Sequence, residues 1–328
     1  MTDSKILKKL EKKENLEKKT IHEIFGAQKV KLYKIKHFMF DFGGVMVERS
    51  FAFKNFLDII KHDHIIKKEF QNDHKFKEQR KKLSAGVINA RELLEFIFEE
   101  YYYPYQKIEG SLPPKKINID YYLELWFQLY SRFVHLSSEM EEIVTRLHKA
   151  GYIVSLISNT FDIHAKCNEL KGFYKIFDHV FLSNEIGLIK PDKNKYLHVL
   201  ENLDAKPKSC FFIDDKPRNL ITARELGIIV IKFESIKKFK KQLSELGIEE
   251  ISENLREEIQ NKYKQYEQKK NEYKKAKKEY KKVKKKKNTF SGKIHHKIKK
   301  KKYEEKKIEY KEMKEKKKRD LERKFTLT

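Results

Sequence analysis

The sequence predicts an α/β protein with a parallel sheet, followed by a strongly basic helical extension. Short apolar runs of strand length alternate with segments that have helical spacing, an order typical of a parallel sheet covered by helices. Residues 251–328 contain 31 basic and 13 acidic residues, so they carry +18 of the total charge of +26. Such a shift in composition indicates a domain boundary before the basic segment.

Length and composition limit the class of protein. The 328 residues are enough for one or two ordinary domains with a sizeable core. Cys167 and Cys210 have no metal-site or redox spacing, so a reducing compartment is expected. Residues 1–19 lack the apolar segment of a signal peptide, and no apolar stretch is long enough to span a bilayer. The expectation is a cytoplasmic protein without a membrane span.

The predicted elements follow one another in a regular order. Residues 1–30 have the pattern of a charged helix, and the run from Phe38 to Asp41 that of a strand ending in an acid before a Gly-Gly turn. Ser138 and Glu141 fit a capping box that opens a helix closed by Gly151. Residues 51–136 are predicted to be helical, and further strands are expected at 153–157, 180–182, 210–213 and 228–231.

Acidic, hydroxyl and lysine side chains follow the predicted strands, where open α/β sheets bind their ligands. They fit phosphoryl transfer through an aspartyl-phosphate, with Asp41 as the nucleophile. Ser158 would donate a hydrogen bond to a phosphoryl oxygen, and Lys190 would neutralise the phosphoryl charge and keep Asp41 ionised. Asp214 and Asp215 supply the hard oxygen ligands that Mg²⁺ prefers, and a cation would explain why two acids stand side by side.

Each of these signals alone has an ordinary structural interpretation. An aspartate before Gly-Gly is commonly a turn residue. The Ser158–Thr160 cluster and the Asp214–Asp215 pair are both suited to capping a helix, and the Lys190–Asp192 segment is typical of a helix start. Their shared position at strand ends, in this order, favours one catalytic site.

Four segments resemble the motifs of the haloacid dehalogenase (HAD) superfamily. They are Phe40 to Val45, Leu156 to Thr160, Gly187 to Asp192, and Phe212 to Asp215 with its continuation through Asn219, Ala223 and Gly227. The sequence is similar to the subgroup that contains bacterial sugar-phosphate phosphatases and the phosphatase domain of soluble epoxide hydrolases. This resemblance implies a Rossmann-like core with a helical cap inserted after the first strand. Gly86 to Phe96 resembles a cap segment, and His164 also fits the subgroup's pattern.

The chain is predicted to have four parts, of which the resemblance implies the core and the cap, and the resemblance also implies a role for each site residue. The parts are a charged helical extension (1–35), the HAD-like core (36–50 and 137–250), the helical cap (51–136) and the Lys-rich helical tail (251–328). Asp41 is the implied nucleophile, which also contacts Mg²⁺. The other implied roles are a direct Mg²⁺ ligand for Asp215, an Mg²⁺ contact through water for Asp214, phosphate binding for Ser158 and Asn159, and both phosphate binding and orientation of Asp41 for Lys190.

Gly43 departs from the family pattern. The family usually has a second acid there, whose backbone carbonyl binds Mg²⁺ and whose carboxylate is the general acid/base. Glycine keeps the carbonyl, so metal binding is expected to survive, but protonation of the leaving group should slow by about 10²–10⁴-fold if nothing replaces the acid. Glu48 is the nearest substitute in sequence, and other members of the subgroup also carry a non-acid at this position. The missing acid disfavours mutase chemistry, and the retained acidic pair favours phosphoester over carbon–halogen cleavage.

The basic tail has a tyrosine every seven residues, at Tyr266, Tyr273 and Tyr280 and again at Tyr303 and Tyr310. This spacing predicts two helices, about 254–286 and 297–325, folded as a hairpin with a turn near residues 288–292. Lys270 and Lys277 at alternate core positions make a strong coiled coil doubtful. One interpretation is binding of non-specific nucleic acid or another polyanion, by phosphate neutralisation and tyrosine stacking. The other is a solvated Lys-rich helix pair.

Two functions from different classes therefore remain. The leading hypothesis is a Mg²⁺-dependent phosphatase, a phosphomonoester hydrolase that acts on a small phosphorylated metabolite. The alternative is a weakly active or inactive HAD-like binding or scaffold protein, localised to a polyanion by its tail. No feature of residues 51–136 identifies a substrate.

Overall fold

A computed structural model of the chain describes residues 28–63, 70–104, 116–248, 254–284 and 290–325. It divides into two compact units. The core–cap unit comprises residues 36–148 and 152–236, and the tail unit comprises residues 28–35, 149–151 and the described residues from 237 onward. A helix was expected in residues 1–30. Residues 1–27 lie outside the described residues, and residues 28–31 form a strand.

The elements of the described residues are numbered in chain order. The strands are β1 (Gln28–Lys31), β2 (His37–Phe40), β3 (Ile153–Ser158), β4 (His179–Leu182), β5 (Cys210–Asp214), β6 (Ile229–Lys232) and β7 (Glu322–Phe325). The α-helices are α1 (Ala52–Asp63), α2 (His74–Ser84), α3 (Ala90–Ile97), α4 (Ile119–Phe133), α5 (Ser138–Lys149), α6 (Asp162–Leu170), α7 (Ser183–Ile186), α8 (Lys193–Asn202), α9 (Pro217–Glu225), α10 (Ile236–Glu245), α11 (Leu255–Lys284) and α12 (Phe290–Leu321). No helix within these ranges is both long and apolar enough to cross a membrane.

A five-stranded parallel sheet forms the centre of the core–cap unit. Its strand order is β4-β3-β2-β5-β6, with every neighbouring pair parallel. All residues of β2 and β5 are buried, as expected for a parallel sheet covered on both faces. From β2 the chain adds β3 and β4 on one side of the sheet and then β5 and β6 on the other side, so β2 and β5 flank a topological switch point. Ligands of open α/β sheets bind at such a switch point, beyond the carboxyl ends of the strands. The predicted α/β fold with a parallel sheet is confirmed.

The helical cap lies between β2 and β3 in sequence, in the region predicted to be helical. Helices α1 to α4 enclose their own apolar cluster, which includes Phe56, Leu93 and Trp126. The two chain segments that enter and leave the cap are joined by an antiparallel bridge between Val47 and Leu136. Helices α1 to α4 therefore pack around a shared apolar cluster, and the bridge joins the two ends of this region at the loop that follows β2.

His164 fastens the cap to the core. Trp126 in α4 donates a hydrogen bond from Nε1 to His164 Nε2 over 2.9 Å, and Tyr130 stacks on the imidazole at a centroid distance of 3.7 Å. Burial lowers the pKa of His164 to about 3, so the ring is neutral near pH 7 and can accept this hydrogen bond. The histidine that fits the family pattern thus has a structural role at the boundary between cap and core.

Two helix starts differ from the sequence expectation by a few residues. Helix α5 begins at Ser138, and it is Ser137 whose Oγ accepts a hydrogen bond from the backbone of Met140. Helix α8 begins at Lys193 with Asp192 as its N-cap, so Pro191 precedes the helix. In both cases the side chain of the residue immediately before the helix accepts a hydrogen bond from a free backbone N–H group of the first turn.

The tail unit contains two long antiparallel helices. Helices α11 and α12 pack against each other, and β7, which follows α12, pairs with β1 in an antiparallel ladder. The second helix was expected from residue 297 to residue 325, but it runs from Phe290 to Leu321, and residues 322–325 form a strand. The predicted turn near residues 288–292 is therefore wrong for residues 290–292, and residues 285–289 lie outside the described part of the chain.

The tail tyrosines stack on one another along the seam between the helices. Tyr273 and Tyr310 have ring centroids 4.9 Å apart, and Tyr280 and Tyr303 are 5.0 Å apart, both pairs with an interplanar angle of 5°. Lysines cover ring faces as well, with the Lys317 ammonium 4.0 Å from the Tyr266 centroid. Aromatic and cation–π contacts of this kind stabilise a seam that has few aliphatic residues.

Gly86 provides a stability test of how the cap meets the core. A Cβ at Gly86 would lie 1.9 Å from the backbone oxygen of Asn184, whereas one at Gly187 would meet no atom within 4 Å. Both glycines have positive φ, so Ala at either position costs about 1–2 kcal/mol of backbone strain. Overpacking adds about 1–3 kcal/mol at Gly86 alone. In chemical denaturation, Gly86→Ala should lose that much more stability than Gly187→Ala, and equal losses would contradict the close approach.

Candidate active site at the strand ends

Asp41 is fixed at the carboxyl end of the central strand. Its backbone N–H donates to Ile213 O over 2.8 Å, which continues the β2–β5 ladder by one residue. The Asp41 side chain is 4% exposed, and Oδ1 accepts a hydrogen bond of 2.7 Å from the backbone N–H of Phe42. Both the strand and the following turn therefore hold this carboxylate in one orientation.

The ammonium of Lys190 joins three strand ends. It lies 2.7 Å from Asp41 Oδ1 and donates to Ile157 O over 2.7 Å and to Asp214 Oδ2 over 2.8 Å. Burial by itself would lower the pKa of Lys190, but the carboxylates of Asp214 and Asp41 outweigh it and raise that pKa. The side chain, which is 1% exposed, therefore stays a cation with an acceptor for each of its donors.

Three carboxylates converge on one position. One oxygen each from Asp41, Asp214 and Asp215 lies within 4.8 Å of the others. Both oxygens of Asp214 accept hydrogen bonds, from the backbone of Lys216, from Asn219 Nδ2 and from the Lys190 ammonium. Asp41 Oδ2 and Asp215 Oδ1, in contrast, are buried without a hydrogen-bond partner.

This donor set fits Mg²⁺. Buried carboxylate oxygens rarely lack partners, and hard anionic oxygens are the ligands that Mg²⁺ prefers. Burial raises the pKa of Asp41; the Lys190 ammonium opposes this rise and the neighbouring Asp214 adds to it. A divalent cation would therefore offset a surplus of negative charge that the buried Lys190 leaves uncompensated.

Gly43 and Gly44 differ in the space around them. A Cβ at Gly43 would meet no atom within 4 Å, so the backbone at the position of the missing acid has room for the start of a side chain. Gly44 has a φ of +87°, and a Cβ there would lie 2.5 Å from Asp215 Oδ2. The second glycine is thus required by backbone conformation and by the close approach of Asp215, whereas the first is not.

The second predicted motif supplies Ser158 and Asn159 beside Lys190. Neither caps α6, because the residue at the N-cap is Phe161, which forms no side-chain cap hydrogen bond. The amide of Asn159 makes two 2.8 Å hydrogen bonds with the backbone of Lys190, accepting from its N–H and donating to its carbonyl. The Asn159 side chain therefore holds the backbone of Lys190, and phosphate binding by Ser158 and Asn159 stays a prediction.

Lys195 and Asn219 support the site in ways that the sequence did not indicate. The Lys195 side chain is buried and donates to Ser158 O over 2.7 Å. Burial, reinforced by the nearby Lys190 ammonium, lowers the pKa of Lys195 to about 6, so this amine is mostly neutral near pH 7. Asn219 belongs to the fourth motif, but only the structure shows that it holds Asp214. A lysine in a Lys-rich helix carried no signal that it would be buried.

Arg49 is another residue whose place at the site was not predicted from the sequence. Its guanidinium contacts Asp215 Oδ2 through Nε at 2.7 Å and through a terminal nitrogen at 2.5 Å. It lines a cavity of about 710 Å³ together with Glu48, Asp215 and Lys232. Glu48, the candidate substitute for the missing acid, is exposed at this cavity.

More than half of the chain matches a known family. The family profile described as haloacid dehalogenase-like hydrolase matches residues 35–227. The chain therefore belongs to the haloacid dehalogenase-like hydrolase family, and the resemblance of its four motifs is confirmed.

Curated relatives are similar to part of the chain. Flavin mononucleotide hydrolase 1 of Arabidopsis thaliana, a chloroplast protein, is 36% identical over 103 residues, which are 29% of this chain and 42% of that protein. The sesquiterpene phosphatase astK of Aspergillus oryzae is 31% identical over 94 residues, which are 28% of this chain and 47% of that protein. The chain thus spans less than half the length of these relatives.

A solved structure is also similar. A HAD family enzyme from Bacteroides thetaiotaomicron, in complex with magnesium and inorganic phosphate, is 24% identical and has a TM-score of 0.45. The alignment covers 62% of this chain and 98% of that one.

Proposed function

We propose that the protein is a Mg²⁺-dependent phosphatase that hydrolyses phosphomonoesters of small metabolites through an aspartyl-phosphate on Asp41. The observation that carries this proposal is the pair of buried, partnerless oxygens on Asp41 and Asp215 beside the ammonium of Lys190. Such an arrangement is suited to a divalent cation and a phosphoryl group. The names of the curated relatives, a flavin mononucleotide hydrolase and a sesquiterpene phosphatase, support phosphate-ester chemistry.

The first step transfers the phosphoryl group to the protein. An oxygen of Asp41 attacks phosphorus, the bond between phosphorus and the leaving oxygen breaks, and the leaving group takes up a proton from solvent water. Lys190 keeps Asp41 oriented and ionised and offsets the phosphoryl charge, and Ser158 hydrogen-bonds a phosphoryl oxygen. Water then attacks phosphorus and gives up a proton to solvent, and the bond between phosphorus and the Asp41 oxygen breaks to release inorganic phosphate and restore the carboxylate.

The metal would be held by Asp41, Asp215 and the backbone carbonyl of Gly43, with Asp214 acting through water. The hydrogen bonds that already occupy both oxygens of Asp214 support this division between direct and indirect ligands. When bound, Mg²⁺ would supply charge stabilisation to the phosphoryl oxygens. The protein contributes the fixed geometry of these oxygens.

The absent acid at position 43 bears on substrate choice. A poor leaving group such as an alkoxide needs a proton in the transition state, and no carboxylate stands at Gly43 to supply it. Glu48 remains the nearest candidate, since it is exposed in the cavity that Asp215 also lines. The retained charges serve the attack on phosphorus, so substrates with acidic leaving groups are favoured.

The alternative, a scaffold with weak or no activity, is less well supported. Burying charged groups is energetically unfavourable. The buried Lys190 network and the partnerless oxygens of Asp41 and Asp215 are therefore better explained by catalysis or metal binding than by a stabilising role. The relatives' names describe enzymes.

The cytoplasmic location remains a prediction.

Replacing the nucleophile tests the central assignment. Asp41→Asn should abolish Mg²⁺-dependent hydrolysis of an aryl phosphate, because an amide oxygen is a poor nucleophile, while the far-ultraviolet circular dichroism stays unchanged. Asp58→Asn, an exposed acid of α1, is the control and should retain full turnover. Undiminished kcat in Asp41→Asn would refute the proposed nucleophile.

Restoring the family's acid tests the role of Gly43. A Cβ at position 43 meets no neighbouring atom, and an aspartate there would supply the missing acid. Gly43→Asp should therefore raise kcat/KM for an alkyl phosphate about 10-fold or more relative to nitrophenyl phosphate, which needs little protonation. Gly43→Asn has the same shape without the acid and should produce no such change. A uniform effect on both substrates in Gly43→Asp would show that proton transfer is not limiting.

We further propose that the Lys-rich surface of residues 251–328 binds polyanions through charge alone. The tyrosines pack against one another, so stacking on bases, as first expected, is disfavoured. The names of the relatives give no support for a nucleic-acid partner, and the proposal rests on the net charge of +18. Counterion release would then be its main driving force.

The salt dependence of binding distinguishes this surface from an inert one. Lys274, Lys278 and Lys281 are exposed on α11. Replacing all three by Gln should reduce the slope of log affinity against log salt by about 0.9 for each duplex phosphate that is no longer neutralised, whereas Arg at the same positions should keep it. Fluorescence anisotropy with a labelled duplex measures this slope. Lack of binding by the unmodified protein at about 50 mM salt would eliminate the proposal.

A further inference from the structure

Arg49 is attached to the proposed metal ligand Asp215 from the segment that leads into the cap. It lies two residues after Val47, which is bridged both to Gly43 and to Leu136, and just before α1. Its Nε and terminal nitrogen both contact the same oxygen of Asp215, Oδ2, at 2.7 and 2.5 Å. The phosphatase chemistry above assigns no task to this arginine.

The two oxygens of Asp215 are placed in different situations. Oδ2 is held by Arg49, whereas Oδ1 is buried without a partner. Gly44 makes the arrangement feasible, because a Cβ there would lie 2.5 Å from Oδ2 and 3.3 Å from Cγ of Arg49. The chain thus has a glycine at a position where a Cβ would displace both the carboxylate and the arginine stem.

Arg49 has two opposing effects on a cation at Asp215. Its positive charge repels the metal, but the side chain is 65% exposed, so water and salt screen that repulsion strongly. Its hydrogen bonds fix a carboxylate that is only 6% exposed, and such outer-sphere contacts to metal ligands are typically worth about 10–100-fold in metal affinity. The orienting effect is therefore the larger of the two.

We propose that Arg49 is a positioning residue for the metal: it occupies Asp215 Oδ2 and thereby presents Oδ1 to Mg²⁺. This inference rests on the proposed metal site. Because Arg49 belongs to the segment that enters the cap, which the Val47–Leu136 bridge joins to the segment that leaves it, the orientation of the metal ligand depends on the segment where the cap begins. The arginine thus makes metal affinity sensitive to that segment.

Calorimetric titration of the full-length protein with MgCl₂, without substrate, tests this role. Arg49→Met should weaken Mg²⁺ binding by about 10-fold or more. Arg49→Lys keeps the charge but cannot form the paired contact, so its binding should be weakened less. Arg91→Met is the matched control, because Arg91 is a partly exposed cap arginine paired with Asp120, and its replacement should leave Mg²⁺ affinity unchanged.

The outcomes separate this inference from the proposed function. Equal or tighter Mg²⁺ binding by Arg49→Met would overturn it, with tighter binding indicating that the guanidinium competes with the metal. Equal affinities of wild type and Arg49→Lys alongside a weakened Arg49→Met would support an orienting contact that any cation can supply. If the wild type binds Mg²⁺ but hydrolyses no phosphomonoester, the proposed function fails while the affinities still decide the role of Arg49. Failure of the wild type to bind Mg²⁺ would refute both.

Discussion

The buried ammonium of Lys190 is the interaction on which the site depends. Removing an ammonium and its counter-ions from water costs several kcal/mol per ion, and this cost is offset only when the geometry satisfies every donor and acceptor. Lys190 meets that condition by contacting Ile157 O on β3, Asp41 after β2 and Asp214 on β5. These groups come from three adjacent strands, so a shift in the register of any one strand would break the network. Correct pairing of the central sheet and assembly of the site are therefore one requirement.

The remaining side chains divide the carboxylates into held and open oxygens. Asn219 and the backbone of Lys216 complete the hydrogen bonds of Asp214, so that residue is rigid and fully satisfied. Asp41 and Asp215 each keep one buried oxygen without a partner. Because uncompensated buried oxygens are unfavourable in an isolated protein, these two oxygens are better suited to the proposed cation than to a role in stability.

The sequence predicted what depends on local pattern and missed what depends on approach in space. Apolar runs placed β2, β3 and β5 correctly, and the strand-end acids Asp41, Asp214 and Asp215 followed from them. The Arg49 contact was not predictable, because it requires the conformation of the segment before α1 and the missing Cβ of Gly44. Burial of Lys195 depends on how α8 meets β3, and nothing in a lysine-rich segment indicates it.

In the tail, too, local pattern predicted the helices, whereas contacts between distant segments were missed. Ser291 and Gly292 suggested a turn, yet both lie in α12, since one glycine in a helix costs only about 1 kcal/mol and pairing with α11 exceeds this. Strand β7 was not foreseen because its partner, β1, lies at the opposite end of the described chain. The heptad spacing correctly predicted that the tyrosines share one face of a helix, but spacing alone does not show which residues pack against that face. The structure gives each ring another ring or an ammonium, so the aromatic faces stabilise the hairpin, and the charges of the lysines are what the tail offers to other molecules.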